Sequence, residues 1–465
     1  MRIAVCIRQG LDGEINPFDA SALEAALRIK DAEVIPVSMG PAHVKELLLR
    51  LTRLGAREAV LLSDPAFAGA DTLATAYVLS LAMKRLQPDL IFCGRQTLVG
   101  DTAQTGTMLS VLASTALITN VMSITALDAD GVTCETREQG ARRAALPALL
   151  TFERIYTLRL PSLRSKMGTV QAWSAKDLGA DLARCGLAGS PTRVVSTSEN
   201  KGGRRQCRFI GFDELDAAVA AGLKKDTTRI CPTDGGKNKL KTVFSVGEAP
   251  RAYAACVCEH ATVLPFGTVA EIVQQIRSGA PDAVLFGTDA ASRELAARVA
   301  AELGLGLCAD CTALETDGEQ LFMIRPALAG SVMAKIISRT RPALATVRTA
   351  SAVGADVVVA AGFGAANAFK QVRALAARYS AALAASRKAV DYELLPYECQ
   401  VGLTGKAVSP AVYIAVGVSG AVHHIVGMQR AGTVIAIDPD RNAPIFDYAD
   451  YGILARAEDI PSKES

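Results

Sequence analysis

In the stretch YIAVGVSGAVHH, from Tyr413 to His424, a serine sits on what reads as a sharp strand-to-helix turn. Small residues flank Ser419, as a nucleophile elbow requires. The elbow form G-x-S-x-G fails at Ala421, and the base fails too. The last histidine is His424, on the same helix as Ser419, whereas a triad base comes from a separate loop. Hydrolysis is therefore a third-ranked reading. The same residues suit an anion. A buried strand ending at Gly417, a small turn and a helix beginning near Ser419 would aim backbone N–H groups at one point, reinforced by the helix dipole. An ordinary tight turn uses glycine in the same way, so this stretch alone leaves both readings open.

Other residues add chemistry. Gln400-Val401-Gly402-Leu403-Thr404-Gly405-Lys406 combines two glycines, a hydroxyl and a cation into an anion cradle, without P-loop spacing. Ser386-Arg387 follows a run of small apolar residues, where a cation is costly unless it meets an anion or an electron-rich group. Asp391, one helical turn on, is its competing partner. GDTAQTG, Gly100 to Gly106, reads either as a ligand loop or as a helix cap built on Asp101 and Thr102. Cys308 and Cys311 have the spacing of a redox pair or half a metal site. No second pair or histidine lies near them in sequence, so structural thiols are the plainer reading.

These residues need elements to hold them. The chain has 465 residues, half of them hydrophobic and few aromatic, which suits buried parallel strands between helices. A net charge of +3 gives no reason to call for nucleic acid. The apolar run in MRIAVCIRQG is too short for a signal peptide, and ADVVVAAGFGAANAF reads as strand, turn and helix. A cytoplasmic protein with no membrane insertion is expected. Eleven cysteines in a chain of this length suggest no disulfide scaffold.

Strands such as IAVCI, EVIPVSMG, EAVLLSD and DLIFCG alternate with helical segments, the pattern of a parallel sheet with crossover helices. Pro88–Gly94 has a counterpart in Pro281–Gly287, each followed by a polar loop, a helix and a short strand, which suggests two related domains. A polar Ser/Thr/Gly-rich stretch at 189–206 reads as a linker. The division expected is 1–188, linker 189–206, 207–348 and 349–465. The last part reads as a doubly wound nucleotide-binding domain.

In order, S-R-x-A-V-D, Q-V-G-x-T-G-K, Y-I-A-V-G-V-S-G-A-x-x-H, A-I-x-x-D-x-x-A-P-I-F and A-D-Y-G resemble the C-terminal flavin domain of the electron-transfer flavoprotein α subunit. LFGTDAASRELAARVAAELGLGLCADCTAL, IRPALAGSVMA and RPALATVR resemble that subunit's first domain. INPFDASALEAAL, DTLATA, PDLIFCGRQ, GDTAQTG and LPSLRSKMG resemble the β subunit. The resemblance covers nearly the whole chain, as β and α fused in that order. It implies three α/β domains: two related parallel-sheet domains of the adenine-nucleotide α-hydrolase-like kind, and a doubly wound FAD-binding domain. Residues 349–356 would be a hinge for the last.

The resemblance also implies an FAD in the last domain. Ser386 and Arg387 would lie near its reactive ring, where a cation stabilises reduced flavin. Gln400, Val401, Gly402, Thr404 and Gly405 would surround that ring, with Thr404 near N5. His424 would donate to the C2 carbonyl. Gly417, Ser419, Gly420 and Ala421 would hold the pyrophosphate, and Asp438 and Asp450 would lie on the adenosine side. Departures are Leu403 for a usual Gln, Asp438 for a usual Asn, and Val359–Gly364 without the family's usual Arg.

A second nucleotide, AMP in simple carriers and FAD in electron-bifurcating members, is implied in the β-like domain. Cys6, Ile7, Arg8, Gly94, Gly100, Asp101, Thr102, Gln104 and Thr105 would line it. Gly100 to Gln104 match the bifurcating form, which favours FAD. Leu163 would anchor a dehydrogenase partner of the acyl-CoA dehydrogenase-like or another flavin type. NADH is a further donor, and a quinone or ferredoxin-type protein the acceptor. Enzymatic NADH oxidation is expected only of a bifurcating member. A non-redox adenine-nucleotide-binding regulator is the alternative of a different class.

Overall fold

The computed structural model describes residues 1–97, 100–199, 204–224, 238–328, 332–348, 355–402, 405–406 and 408–461. Residues 349–354, most of the expected hinge, lie outside the described residues. The chain divides into two compact units. The first comprises Met1–Ser196, Thr233–Leu328 and Ala334–Val347; the second comprises Thr197–Pro232, Ala329–Met333 and Arg348–Ser465.

The first unit holds two parallel sheets. One runs Ala116–Leu127, Ala148–Phe152, Leu90–Gly94, Arg2–Cys6, Glu33–Met39, then on to Glu58–Leu62 and Thr169–Trp173. Two antiparallel strands, Gly131–Thr136 and Gly140–Ala145, extend its other edge. The second sheet runs Leu307–Cys311, Ala343–Val347, Ala283–Phe286, Leu240–Val246 and Cys258–Leu264, all parallel. Its order coincides strand for strand with the first five of the other sheet. The inner strands are continuous apolar runs because helices cover both faces.

The short sequence repeat is therefore a repeat of structure. Asp89 accepts from the N–H of Arg2 at 2.7 Å, and Asp282 accepts from the N–H of Thr242 at 3.0 Å. Each aspartate ties the start of its strand to the same neighbour. Asn120 and Asp310 occupy matching bulges in the left-handed region, at φ 57° and 56°. Their N–H groups donate to Thr151 Oγ1 at 3.1 Å and Thr346 Oγ1 at 2.7 Å. The helices Thr105–Leu112 and Ala290–Leu303 pack on each other, and Met108, Leu109, Leu295, Ala296 and Val299 join both halves in one core.

The second unit holds one parallel sheet, in the order Arg208–Phe209, Tyr451–Ile453, Thr433–Ile437, Val412–Val416, Val357–Ala361, Ala382–Ala385. Side chains alternate between its faces, as strands dictate. Val357, Val359 and Ala361 meet the helices Leu215–Lys224 and Phe369–Arg378, while Val358 and Ala360 face the helix Val422–Met428. The sheet is doubly wound, with its reversal between Val357–Ala361 and Val412–Val416.

The division read from sequence differs in two places. Residues 207–224 were grouped with the middle domain, yet Arg208–Phe209 and the helix Leu215–Lys224 belong to the C-terminal sheet. Gly222 permits this, because a Cβ there would lie 2.6 Å from a Val412 methyl. Within the linker at 189–206, Thr192–Glu199 is a strand. Its β-branched Thr192, Val194, Val195 and Thr197 favour extended backbone, a pull that polar composition hides. Among the described residues, no helix is long and apolar enough to cross a membrane.

At the reversal a Cβ on Gly362 would lie 1.9 Å from the carbonyl oxygen of Gly417. Gly362→Ala is expected to lower the stability of the second unit by about 1–3 kcal/mol, or to prevent its folding, through overpacking. Denaturant melts followed separately for each unit check this, and the first unit should melt unchanged.

Candidate functional site

In a doubly wound sheet, ligands bind beyond the carboxyl ends of the strands, where the order reverses. In the second unit that place is marked by two glycine turns. Gly417 and Gly420 are in the left-handed region, at φ 61° and 85°. A Cβ on Gly420 would lie 2.1 Å from the backbone nitrogen of Ile445. Ser419 is exposed on this turn, and Ala421 precedes the helix Val422–Met428, whose first N–H groups receive no side-chain cap. The turn is no nucleophile elbow: His424 is buried and bonded to Tyr413, so it cannot serve Ser419 as a base.

Gly402 and Lys406 pack on that same helix, against His423 and Gly427. Val401 donates from its N–H to the carbonyl of Ala385 at 2.9 Å, and Lys406 donates to that of Gln400 at 2.7 Å. Gly402, at φ 140°, approaches so closely that a Cβ would lie 2.7 Å from the carbonyl oxygen of His423. Gly405 is equally confined, 2.2 Å from the Gln400 carbonyl by the same measure. Leu403 and Thr404 lie outside the described residues.

Ser386 caps the helix Arg387–Asp391 by accepting from the Ala389 N–H at 3.4 Å. Arg387 Nε is 3.5 Å from Asp391 Oδ2, the competing partner read from sequence. At His423, burial first and then the positive charge of Arg387 disfavour protonation. Burial holds His424 down to about 4, with the Val401 carbonyl pulling the other way. Its Nδ1 has no hydrogen-bond partner in good geometry among the described residues.

Asp438 stands at the carboxyl end of Thr433–Ile437, and burial pushes its carboxyl up. Asp450 is placed differently from the expectation. It precedes Tyr451–Ile453 and so lies at the opposite edge, where parallel strands begin. There it accepts from the Val434 N–H at 2.8 Å and pairs with Arg205.

The first unit has its own reversal, between Arg2–Cys6 and Leu90–Gly94. Cys6, Ile7 and Arg8 leave one strand there, and Gly94 ends the other. Asp19, not singled out from sequence, bridges them: it accepts from the N–H of Arg8 at 2.8 Å and of Gly94 at 3.1 Å. A Cβ on Gly94 would lie 2.3 Å from Asp19 Oδ1, so this glycine serves Asp19 and its helix. The Asn-Pro start of that helix, with an acid on its apolar first turn, was the available signal.

The GDTAQTG loop is no simple cap. The helix starts at Thr105 with Gln104 before it and no side-chain cap, while Asp101 and Ala103 are in the left-handed region, at φ 49° and 53°. The Asp101 carbonyl accepts from Arg325 at 2.7 Å. Gly100 is exposed and Thr102 half-buried. Gln104 is 2% exposed, yet neither atom of its amide has a partner among the described residues. Asn16 Oδ1 and Gln96 Nε2 share this condition. Each such group costs about 1–3 kcal/mol unless something satisfies it.

Cys308 and Cys311 lie buried on either side of the Asp310 bulge, and Cys311 Sγ approaches the Cys308 carbonyl at 3.6 Å. Among the described residues, no group of side chains could hold a metal ion. Leu163 stands wholly exposed on an irregular segment, with Leu160 and Met167 also exposed. Arg159 anchors this segment to Glu24 at 2.9 Å. Burial opposes the Glu24 charge, but hydrogen bonds from Arg159 and Arg28 outweigh it and hold the carboxyl at about 2.

Fold and sites define a nucleotide-binding α/β protein with two sheet-reversal sites. The electron transfer flavoprotein domain matches residues 3–178 and again 230–374, and the electron transfer flavoprotein FAD-binding domain matches 352–429. The chain belongs to the electron transfer flavoprotein family, and it carries β-like and α-like parts in one polypeptide. Protein FixA of Azorhizobium caulinodans is 36% identical over 241 residues, covering 47% of this chain and 86% of that protein. The electron transfer flavoprotein subunit beta of Clostridium acetobutylicum is 41% identical over 211 residues, 42% of this chain and 80% of the relative. The caffeyl-CoA reductase-Etf complex subunit CarD of Acetobacterium woodii is 36% identical over 235 residues, 47% of this chain and 89% of that subunit.

Burial pushes the Asp19 carboxyl up to about 7, against the N–H groups of Arg8 and Gly94 and the Asn16 amide. A raised carboxyl stabilises the fold while protonated. That contribution is complete below the ordinary value of 3.8 and is lost as the pH rises through about 7. Thermal melts of nucleotide-free protein should show a decline, on the order of 4 kcal/mol at most, between pH 4 and 8. Asp19→Asn should flatten it.

Proposed function

We propose that this protein carries electrons from a flavin-containing dehydrogenase to an acceptor oxidoreductase through an FAD held by its second unit. The observation that carries this reading is the reversal site itself: two interlocked glycine turns beside an uncapped helix start, next to a buried histidine with a ring nitrogen to spare. The FAD-binding domain match covers the same residues. FAD supplies the redox chemistry. The chain binds it through Gly417–Ala421, places Arg387 where positive charge favours the reduced ring, and surrounds the ring with the Gln400–Gly405 turn. No substrate bond is made or broken by the protein.

The first unit holds a second nucleotide in this proposal. The unpartnered amide of Gln104, with Asn16 Oδ1 and Gln96 Nε2, is what an adenine nucleotide would satisfy, and GDTAQ favours FAD over AMP there. With two FAD, NADH becomes a donor and electron bifurcation the function; with AMP, the protein is a simple carrier. The CarD relative is, by name, a subunit of a caffeyl-CoA reductase complex, which supports a CoA-thioester oxidoreductase as partner. Quinone or ferredoxin-type proteins suit the acceptor role, and a cytoplasmic location suits both.

Acid release of nucleotides from purified protein is the first test. Two FAD per chain support the bifurcating form, and one FAD with one AMP supports the simple carrier. A protein that takes up no flavin on reconstitution overturns the reading in favour of a nucleotide-binding regulator. Gln104→Leu should lower occupancy of the first-unit site at least tenfold while the second unit keeps its FAD, as separate flavin titrations would show.

Leu163→Ala should slow reduction by the cognate dehydrogenase tenfold or more, since exposed apolar side chains grouped on an anchored loop mark an interaction surface. Dithionite reduction of the same variant should match wild type.

A further inference from the structure

Tyr413 lies in the middle of the C-terminal sheet and is among the largest side chains with no exposed surface. Its hydroxyl needs a partner, because a buried hydroxyl left unbonded costs about 1–3 kcal/mol. That partner is His424, whose Nε2 is 2.9 Å away. The imidazole is neutral at ordinary pH, since burial holds it down to about 4. A neutral ring has one N–H, and two arrangements share the protons.

In the first, Nε2–H donates to the tyrosine oxygen. The phenolic proton then has no acceptor among the described residues, and Nδ1 becomes a bare acceptor. In the second, the phenol donates to the Nε2 lone pair, both groups are satisfied at that contact, and the ring proton sits on Nδ1. Only the second avoids stranding the phenolic proton in a dry interior. Nδ1 has no partner in good geometry among the described residues, and the nearby Val401 carbonyl favours a proton on the ring there. It is therefore a fixed donor held only loosely by Val401 and open to a better-placed acceptor.

We propose that Tyr413 is a positioning residue that locks His424 in the Nδ1–H tautomer, making it a standing hydrogen-bond donor to a carbonyl oxygen of the bound flavin ring. Negative charge gathers on such an oxygen when the ring is reduced, so a preset donor favours the reduced form. A histidine free to shift its proton would present a lone pair there in half of its states and oppose it. The flavin half of this proposal rests on the FAD reading above; the tautomer half does not.

Nitrogen NMR of histidine-labelled, flavin-free protein tests the lock, with His424→Gln identifying the signal among the four histidines. The expected wild-type signature is a single Nδ1–H tautomer, and Tyr413→Phe should turn it into a mixture. An Nε2–H signature in wild type, or an unchanged one in Tyr413→Phe, overturns the proposal. FAD affinity should fall about threefold to tenfold in Tyr413→Phe, the worth of one hydrogen bond. If that variant does not fold, the wild-type Nδ1 resonance decides: it must shift when FAD is added, and an unmoved resonance overturns the proposal. Wild-type protein that shows the Nδ1–H signature but binds no FAD overturns the flavin reading and the ligand named here, leaving the lock itself in place.

Discussion

Parallel strands that reverse their winding direction open a crevice at their carboxyl ends, and the backbone there has no strand left to pair with. The glycine turns of the second unit and the Arg8 and Gly94 strand ends of the first are organised by that constraint. In the second unit two turns share the crevice so tightly that neither Gly362 nor Gly417 could carry a side chain. Backbone N–H groups and a helix start are thereby brought to one place with little steric bulk. This is the geometry that receives a phosphate chain, and it follows from the sheet order rather than from any reactive side chain.

The first unit meets the same constraint by other means. Its crevice is bridged by a carboxylate: Asp19 takes the N–H groups of Arg8 and Gly94, whereas in the second unit the N–H groups of Gly362 and Gly417 are taken by backbone carbonyls. The polar atoms still unpaired are side-chain amides, which both donate and accept. Such groups suit the edges of a base or flavin ring more than a phosphate. One chain thus carries two reversal sites with different chemical preferences. Within the first unit the two sheets repeat one scaffold, since strand order, the Asp89 and Asp282 ties, and the Asn120 and Asp310 bulges coincide.

In the proposed function the redox chemistry belongs to the cofactor, and what the protein contributes is electrostatic preset. Arg387 is a cation half-satisfied by Asp391 on an exposed helix turn, so its charge is available without being desolvated. His424 is neutral, buried and directional. The two act differently: one supplies net charge, the other a single oriented dipole. Leu160, Leu163 and Met167 stay exposed on a segment pinned by Arg159 and Glu24, which leaves their apolar side chains at the surface.

The sequence by itself determined the local elements and the motifs, because strand periodicity, helix amphipathicity and glycine turns are written in consecutive residues. Gly417–Ala421, Gln400–Gly402, Arg387 and GDTAQTG could all be singled out in this way, as could the Pro88 and Pro281 repeat. Only the tertiary structure decided which elements share a sheet. Nothing local to residues 207–224 says that Leu215, Ala218 and Val219 pack against strands some two hundred residues later, since an apolar helix face specifies a surface but not whose. The same reason accounts for Asp450, whose motif is legible while the edge it occupies depends on strand direction. Asp19 and Tyr413 were likewise hidden. The one looks like a surface acid and the other like core filler until folding removes the water and leaves each with specific partners.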